Sequence, residues 1–240
     1  MAVKVVRIRY AHSDPLFWKA RVQAVEAGNL ESARLLLDGV ADIGFVPITL
    51  AAQYGLHIVP RLAIYSVGPI ISSRLFKGRG SGGACAVGET TVSARALSAL
   101  LGLSFKGVDD PWTALDSCSE VLVVGDEALR MADRGVPHVV DVGELWQERV
   151  GSPLVFAVLV ARPGAPGLEE AVAEMENSVA SFYENPGPLI ESVARRLSVS
   201  KSLVEEYYQR SRYLVNGSVV EAMKREAEIL GLPPLRFAQV

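Results

Sequence analysis

Residues 85–93 read Cys85-Ala86-Val87-Gly88-Glu89-Thr90-Thr91-Val92-Ser93. A short apolar run stops at a glycine and passes through hydroxyl-bearing residues into a pattern of helical period that runs to Leu101. A buried strand feeding a helix through a tight turn is the unit from which α/β proteins are built. The same pattern repeats downstream. Strands are predicted at Ser104–Val108, Val121–Val124 and His138–Asp141, with helices at Pro111–Ser117, Glu127–Arg134 and Val142–Val150. Upstream, Val3–Tyr10 and Ile43–Val46 read as strands, and His57–Ile64 and Gly68–Phe76 as two more. Pro15–Ala27, Leu30–Gly39 and Ile48–Tyr54 read as helices, with Asn29 as an N-cap and Gly39 just past a C-terminus. Parallel strands joined by helices must be covered on both faces, so the expectation is an α/β protein.

Two places interrupt the alternation. Lys77–Ala84 is Gly-rich and reads as a flexible crossover, since it lacks the Gly-Lys-Ser/Thr of a phosphate loop. Val155–Ala161 reads as a return strand, followed by helices at Gly167–Glu184, Pro188–Leu197, Ser200–Tyr213 and Ser218–Leu230 that are expected to pack on the first lobe. The predicted division is residues 1–77 with 155–240 as one discontinuous lobe and 78–154 as the other. A ligand cleft is expected between them, at strand C-termini and helix N-termini.

Composition narrows the function classes. The net charge is −3 with both signs interspersed, which argues against a nucleic-acid surface. No apolar tract is long enough to span a membrane. Lys4, Arg7 and Arg9 interrupt the first apolar run and no signal-peptide core follows, so the expected location is cytoplasmic. Three separated histidines and two cysteines offer no metal spacing, so no metal site suggests itself. Cys85 and Cys118 read as two small buried thiols, with a bridge between them left open.

Four segments carry candidate chemistry. At Gly88–Ser93, a helix N-terminus supplies free N–H groups suited to an anion, and Thr90, Thr91 and Ser93 supply three hydroxyls where capping needs one. Val92 contributes backbone there. At Gly125-Asp126-Glu127, Asp126 reads as a cap and Gly125 allows close approach. In Ser72-Ser73-Arg74, strand alternation puts Ser72 and Arg74 on one face and Ser73 on the other, and Arg74 suits a carboxylate or a surface ion pair equally. In Tyr10-Ala11-His12-Ser13-Asp14-Pro15, His12 is a candidate donor or acid–base group, while Ser13 or Asp14 reads as a helix cap.

These segments, in this order, resemble the chorismate dehydratase family of the futalosine route to menaquinone. The resemblance rests on Arg7–Tyr10 into Pro15-Leu16, the run Gly39–Pro47, Ser66–Ser72, Glu89–Leu101 and Val123–Leu129. It continues through Asp141–Trp146 and Pro153–Ala157, and Gly125–Ala157 is its most specific stretch. It implies a two-lobed, periplasmic-binding-protein-like type II fold and a lyase that converts chorismate to 3-[(1-carboxyvinyl)oxy]benzoate without metal or organic cofactor. His12, Ser72 and Ser93 would then be catalytic, and Ser73, Arg74, Thr90, Thr91, Val92, Gly125 and Asp126 would bind substrate. Partners would be a small anionic substrate (chorismate or a related carboxylate), with no nucleic acid and no membrane; a homodimer is compatible with this. The family commonly reads Tyr-Leu-Asn where this chain has Tyr10-Ala11-His12, and its Thr-Ser pair appears here as Val92-Ser93. A titratable imidazole in place of a fixed amide keeps two alternatives in play. One is an enzyme like 1,4-dihydroxy-6-naphthoate synthase, and the other is a non-catalytic small-anion binding protein.

Overall fold

In the computed structural model, which describes residues 3–238, the chain forms two sheets. The strands are β1 (Val5–Ile8), β2 (Ala24–Ala27), β3 (Ile43–Pro47), β4 (His57–Ser66), β5 (Ser73–Lys77) and β6 (Ala84–Val87). They continue as β7 (Lys106–Val108), β8 (Glu120–Val124), β9 (His138–Asp141), β10 (Leu154–Ala161), β11 (Ser211–Leu214) and β12 (Arg236–Phe237). The first sheet runs β11-β4-β10-β3-β1-β2 with β12 on β4, and the second runs β7-β6-β8-β5-β9. Each sheet mixes parallel and antiparallel pairing: β10 is antiparallel to β3, and β5 is antiparallel to β8 and β9.

The chain divides into two compact units. One holds the residues up to Tyr65, Val155–Leu189 and those from Arg212 onward; the other holds Ser66–Leu154 and Ile190–Ser211. The sequence reading put 66–77 and 190–211 with the first lobe. Hydrogen bonding groups them with the second: β5 pairs on both sides with strands of that unit, and the Ser200 N–H donates to Asp133 at 2.9 Å. The chain therefore passes between units at 65/66, 154/155, 189/190 and 211/212.

The first unit is built on strands whose apolar residues are sealed. Val6, Ile8, Ile43, Phe45, Val46, Val158 and Leu159 are fully buried. The parallel β1–β3 pairing needs Gly44 at its centre, because a Cβ there would lie 2.3 Å from a Val6 methyl. Pro15–Ala27 is not one helix. Ala11–Ser13 is a single 3₁₀ turn, Asp14–Phe17 a short helix, and Ala24–Ala27 becomes β2 by pairing in parallel with β1. Neither Ser13 nor Asp14 caps that helix with its side chain: the Ser13 hydroxyl donates to the Ile8 and Tyr10 carbonyls, and Asp14 pairs with Arg7. Asn29 begins its helix rather than capping it, Gly28 being the cap, and Gly39 adopts the expected left-handed φ of 71°. The helix predicted over Ser200–Tyr213 ends at Arg210, and Ser211–Leu214 forms β11 beside β4.

One buried acid in this unit gives a sharp pH prediction. Glu226 is fully buried; its Oε2 accepts the Val155 N–H at 2.7 Å and its Oε1 has no partner. Burial pushes its pKa well above the usual carboxylate range, and the single hydrogen bond opposes that only weakly. A raised folded-state pKa stabilises fully below the unfolded value near 4.5, and that contribution is lost as pH rises toward the folded pKa. Glu226→Gln keeps an acceptor for Val155 and removes the ionisation. Thermal melts should match wild type near pH 4.5 and show the variant a few degrees more stable at pH 8.

The second unit corrects the reading of both the cysteines and the Gly-rich segment. Cys85 and Cys118 form a disulfide, packed among Phe76, Leu115, Val121, Val123 and Met131. Lys77–Ala84 is no loose linker. Gly78, Gly80 and Gly82 donate their N–H groups to the carbonyls of Ser119, Cys118 and Ser117. A Cβ would fall 2.0 Å from Cys118 O at Gly78 and 2.2 Å from Ser117 at Gly80, so only glycine permits the approach. Among the described residues, no helix is long and apolar enough to cross a membrane.

Candidate functional site

Within the second unit, the predicted hydroxyls sit at the start of the eleven-residue helix Thr91–Leu101. They are not equivalent. Thr90 occupies the N-cap position, but its Oγ1 turns back to the Val87 carbonyl at 2.8 Å. Ser93 is buried, with its Oγ 2.7 Å from Ser73 Oγ, so β5 and this helix are joined by a hydroxyl pair. Thr91 is different again: its Oγ1 is buried and has no partner. Val92 packs in the core and can offer a ligand only its N–H.

Ser72 does not share a strand face with Arg74, because β5 begins at Ser73 and Ser72 closes the turn before it. Its carbonyl accepts the Gly125 N–H at 2.7 Å. Gly125 has a φ of 73°, and it, not Asp126, is the N-cap of the helix Asp126–Asp133. Ser72, Ser73, Ser93 and Gly125 are thus brought together by direct bonds. Thr91 follows Thr90 at the same helix start, and Asp126 opens the neighbouring helix.

Arg74 is held by a carboxylate of the protein. Its Nε donates to Asp141 Oδ2 at 3.1 Å, with Asp141 almost wholly buried. Asp141 also accepts the N–H groups of Ile70 (3.0 Å), Ile71 (2.8 Å), Gly143 (3.2 Å) and Glu144 (3.4 Å). It therefore caps the helix Val142–Val150 and clamps the turn leading into Ser72 and Ser73. Ile71 sits at φ 68°, a genuine outlier for a β-branched side chain. Strain of this kind persists only where surroundings over-determine it, and it gathers at functional sites. The sequence reading passed over Asp141 as part of a strand end.

In the first unit, His12 lies in the 3₁₀ turn after β1, edge-on to the Tyr10 ring at 5.7 Å between centroids. Part of the residue is exposed, but Nε2 is buried without a partner. Burial first, and the Arg7 guanidinium second, lower its pKa to about 3. The imidazole is neutral at physiological pH, so it can donate or accept a hydrogen bond but carries no charge. A second group was missed here. Thr49 lies in the first turn of the helix Ile48–Gln53 after β3, and its buried Oγ1 has no partner. Since β3 runs parallel to β1, Thr49 and His12 follow the same edge of one sheet. The signal was a hydroxyl in the first turn after a buried strand, the same logic that singled out Thr91. No group of His, Cys, Asp and Glu suited to a metal occurs among the described residues.

The comparisons with known proteins define the class first. Protein AF1704 from Archaeoglobus fulgidus superposes with a TM-score of 0.74 at 17% identity, over 96% of this chain and 97% of that one. A Candida albicans gene product with the generic periplasmic binding protein fold gives 0.67 at 12% identity, over 96% and 90%. The alkanesulfonate-binding protein SsuA from Xanthomonas axonopodis pv. citri gives 0.66 at 13% identity, over 96% and 92%. The fold is α/β and periplasmic-binding-protein-like. The chain belongs to the menaquinone biosynthesis family, whose profile matches residues 3–230. It is also 28% identical over 255 aligned residues to the chorismate dehydratase of Thermus thermophilus, covering 94% of both chains.

Proposed function

We propose that this chain is a chorismate dehydratase acting in menaquinone biosynthesis, a lyase that converts chorismate to 3-[(1-carboxyvinyl)oxy]benzoate and water. Family membership and the near full-length similarity to a chorismate dehydratase support the assignment. The observation that carries it to particular residues is the unpartnered Thr91 hydroxyl beside the Ser73–Ser93 pair at a helix N-terminus. Free N–H groups and a partial positive charge at such a terminus favour a carboxylate, and chorismate carries two.

In the reaction the C3–H bond breaks and its electron pair forms the C3–C4 double bond. The C4–O bond breaks, the hydroxyl leaves with its pair, and the released proton completes a water molecule. The ring becomes aromatic, so the enzyme's task is to hold the substrate and exclude solvent. Thr91, Ser93 and the backbone N–H of Val92 are assigned to a substrate carboxylate. Ser72 and Ser73 place the strand end that meets the substrate. Arg74 acts through Asp141 rather than on the substrate. His12, neutral at working pH, orients the reacting end and leaves the base role to a substrate carboxylate. Burial and the nearby Arg7 guanidinium lower the His12 pKa to about 3, which supports an orienting role over a histidine-driven synthase reaction.

The pure protein incubated with chorismate should yield the carboxyvinyloxybenzoate and water, followed by mass spectrometry. Ser93→Ala and Thr91→Val should each lower kcat/KM about 10²-fold, the typical loss for one hydrogen-bond donor at a reacting anion. Binding of chorismate without product in the wild-type protein would instead identify a non-catalytic anion receptor.

A further inference from the structure

The helix Asp126–Asp133 begins at Gly125, next to Ser72, and ends about 12 Å away at 1.5 Å per residue. At that far end, within the second unit, lies a cavity of about 260 Å³ lined by Arg130, Asp133, Arg134, Arg196, Leu197 and Ser198. Three arginines line this one small space, and nothing in the proposed reaction uses them. We infer that this cavity is a binding site for a phosphate-type oxyanion, separate from the residues assigned to the substrate.

The cations are held in place by a frame. Glu127 accepts the Trp112 indole N–H at 3.0 Å through one oxygen and pairs with Arg130 through the other. Arg130 also donates to the Leu197 carbonyl at 3.2 Å, so its guanidinium is fixed against the end of the helix Gly187–Leu197. Arg134 lies over the face of the same Trp112, 4.7 Å from the ring centroid. Arg196 completes the wall, and Ser198, at a left-handed φ of 56°, turns the chain around its edge. The one acidic side chain in the lining, Asp133, is engaged by the Ser200 N–H and hydroxyl. The lining holds three arginines and one acid, and Glu127, outside the lining, pairs with Arg130, so Arg134 and Arg196 carry the remaining positive charge of the wall. Arginine forks match the oxygens of phosphate pairwise, and a doubly charged anion answers several guanidinium groups better than a single carboxylate does. Asp133, Arg134, Arg196 and Ser198 are exposed, so the cavity is open to a ligand from solution.

Calorimetric titration with inorganic phosphate, and separately with glycerol 3-phosphate, at ionic strength held constant with chloride, tests this. One saturable site with Kd of about 1 mM or tighter is expected, weakened about tenfold in Arg134→Gln and in Arg196→Gln. Both residues are exposed, so the variants should melt as wild type does, which separates lost binding from lost fold. Tighter binding of the ester identifies a phosphorylated metabolite as the ligand class; equal or weaker binding identifies the free ion. Heat that does not saturate, or binding equal in wild type and both variants, overturns the inference. So does binding abolished by Ser93→Ala but kept in the arginine variants, since that places the phosphate on the substrate residues.

Discussion

Asp141→Ala is expected to destabilise the second unit by about 3–5 kcal/mol, a large share of the stability of an ordinary domain. The carboxylate accepts four backbone N–H groups and the Arg74 Nε. Alanine leaves the Arg74 charge, itself mostly buried, without its partner and opens the αL residue Ile71 to relaxation. Urea unfolding measures the loss. Asp141→Asn is the more informative variant, because the two oxygens do different work. Oδ1 accepts from Ile70, Gly143 and Glu144, whereas Oδ2 accepts from Ile71 and Arg74. An asparagine that keeps Oδ1 in place preserves the helix cap and turns its own N–H toward two donors. Its stability loss should be smaller, about 2 kcal/mol, and concentrated at the turn that sets Ser72 and Ser73. kcat should fall while the protein stays folded. If Asp141→Asn turns over chorismate like wild type, the clamp on residues 70–71 has no part in positioning the serines.

How much of this was legible in the sequence depends on how local each signal is. The strand–glycine–helix reading of 85–93, the β3 run ending at Pro47 and the left-handed Gly39 all follow from neighbours in the chain, and all appear in the structure. β2 does not. Ala24–Ala27 is an edge strand with Val25 exposed, and its residues fit a helix as well as a strand; parallel pairing with β1 decides the matter. β11 is the same case, an extension of a helical pattern claimed by β4. The Cys85–Cys118 bridge spans 33 residues and needs β6 and the turn before β8 to be in place first. Thr91 and Ser93 were singled out by helix-start chemistry, and both lie in the first turn of the helix Thr91–Leu101. Asp141 was missed because half of its role lies on a turn 70 residues upstream, and Arg74 was left open between a ligand and an ion pair because its partner lies 67 residues downstream.

His12 should behave as a neutral hydrogen-bonding group, and two measurements separate that from acid–base work. Its folded-state pKa of about 3 lies below the ordinary 6.5, so between those values the unfolded chain binds the proton and the folded chain does not. Stability from this group is therefore present above pH 6.5 and lost as pH falls toward 3. The full shift corresponds to 1.36 kcal/mol per pH unit. Part of the residue is exposed, and solvent screening reduces the effect, so about 2 kcal/mol between pH 7 and pH 4 is the expected size. His12→Asn should remove that acid sensitivity, seen as a smaller fall in unfolding free energy than wild type over the same range. In catalysis, the asparagine offers donor and acceptor at fixed atoms, as the resembling family does at this position, and turnover of chorismate should stay within about tenfold. His12→Ala supplies neither and should lose about 10²-fold. The wild-type kcat/KM should show no limb near pH 6.5 arising from this residue, because the imidazole does not titrate there. An acid limb near that pH, present in wild type and absent in His12→Asn, together with an inactive asparagine variant, would show that the imidazole moves a proton and overturn the orienting role.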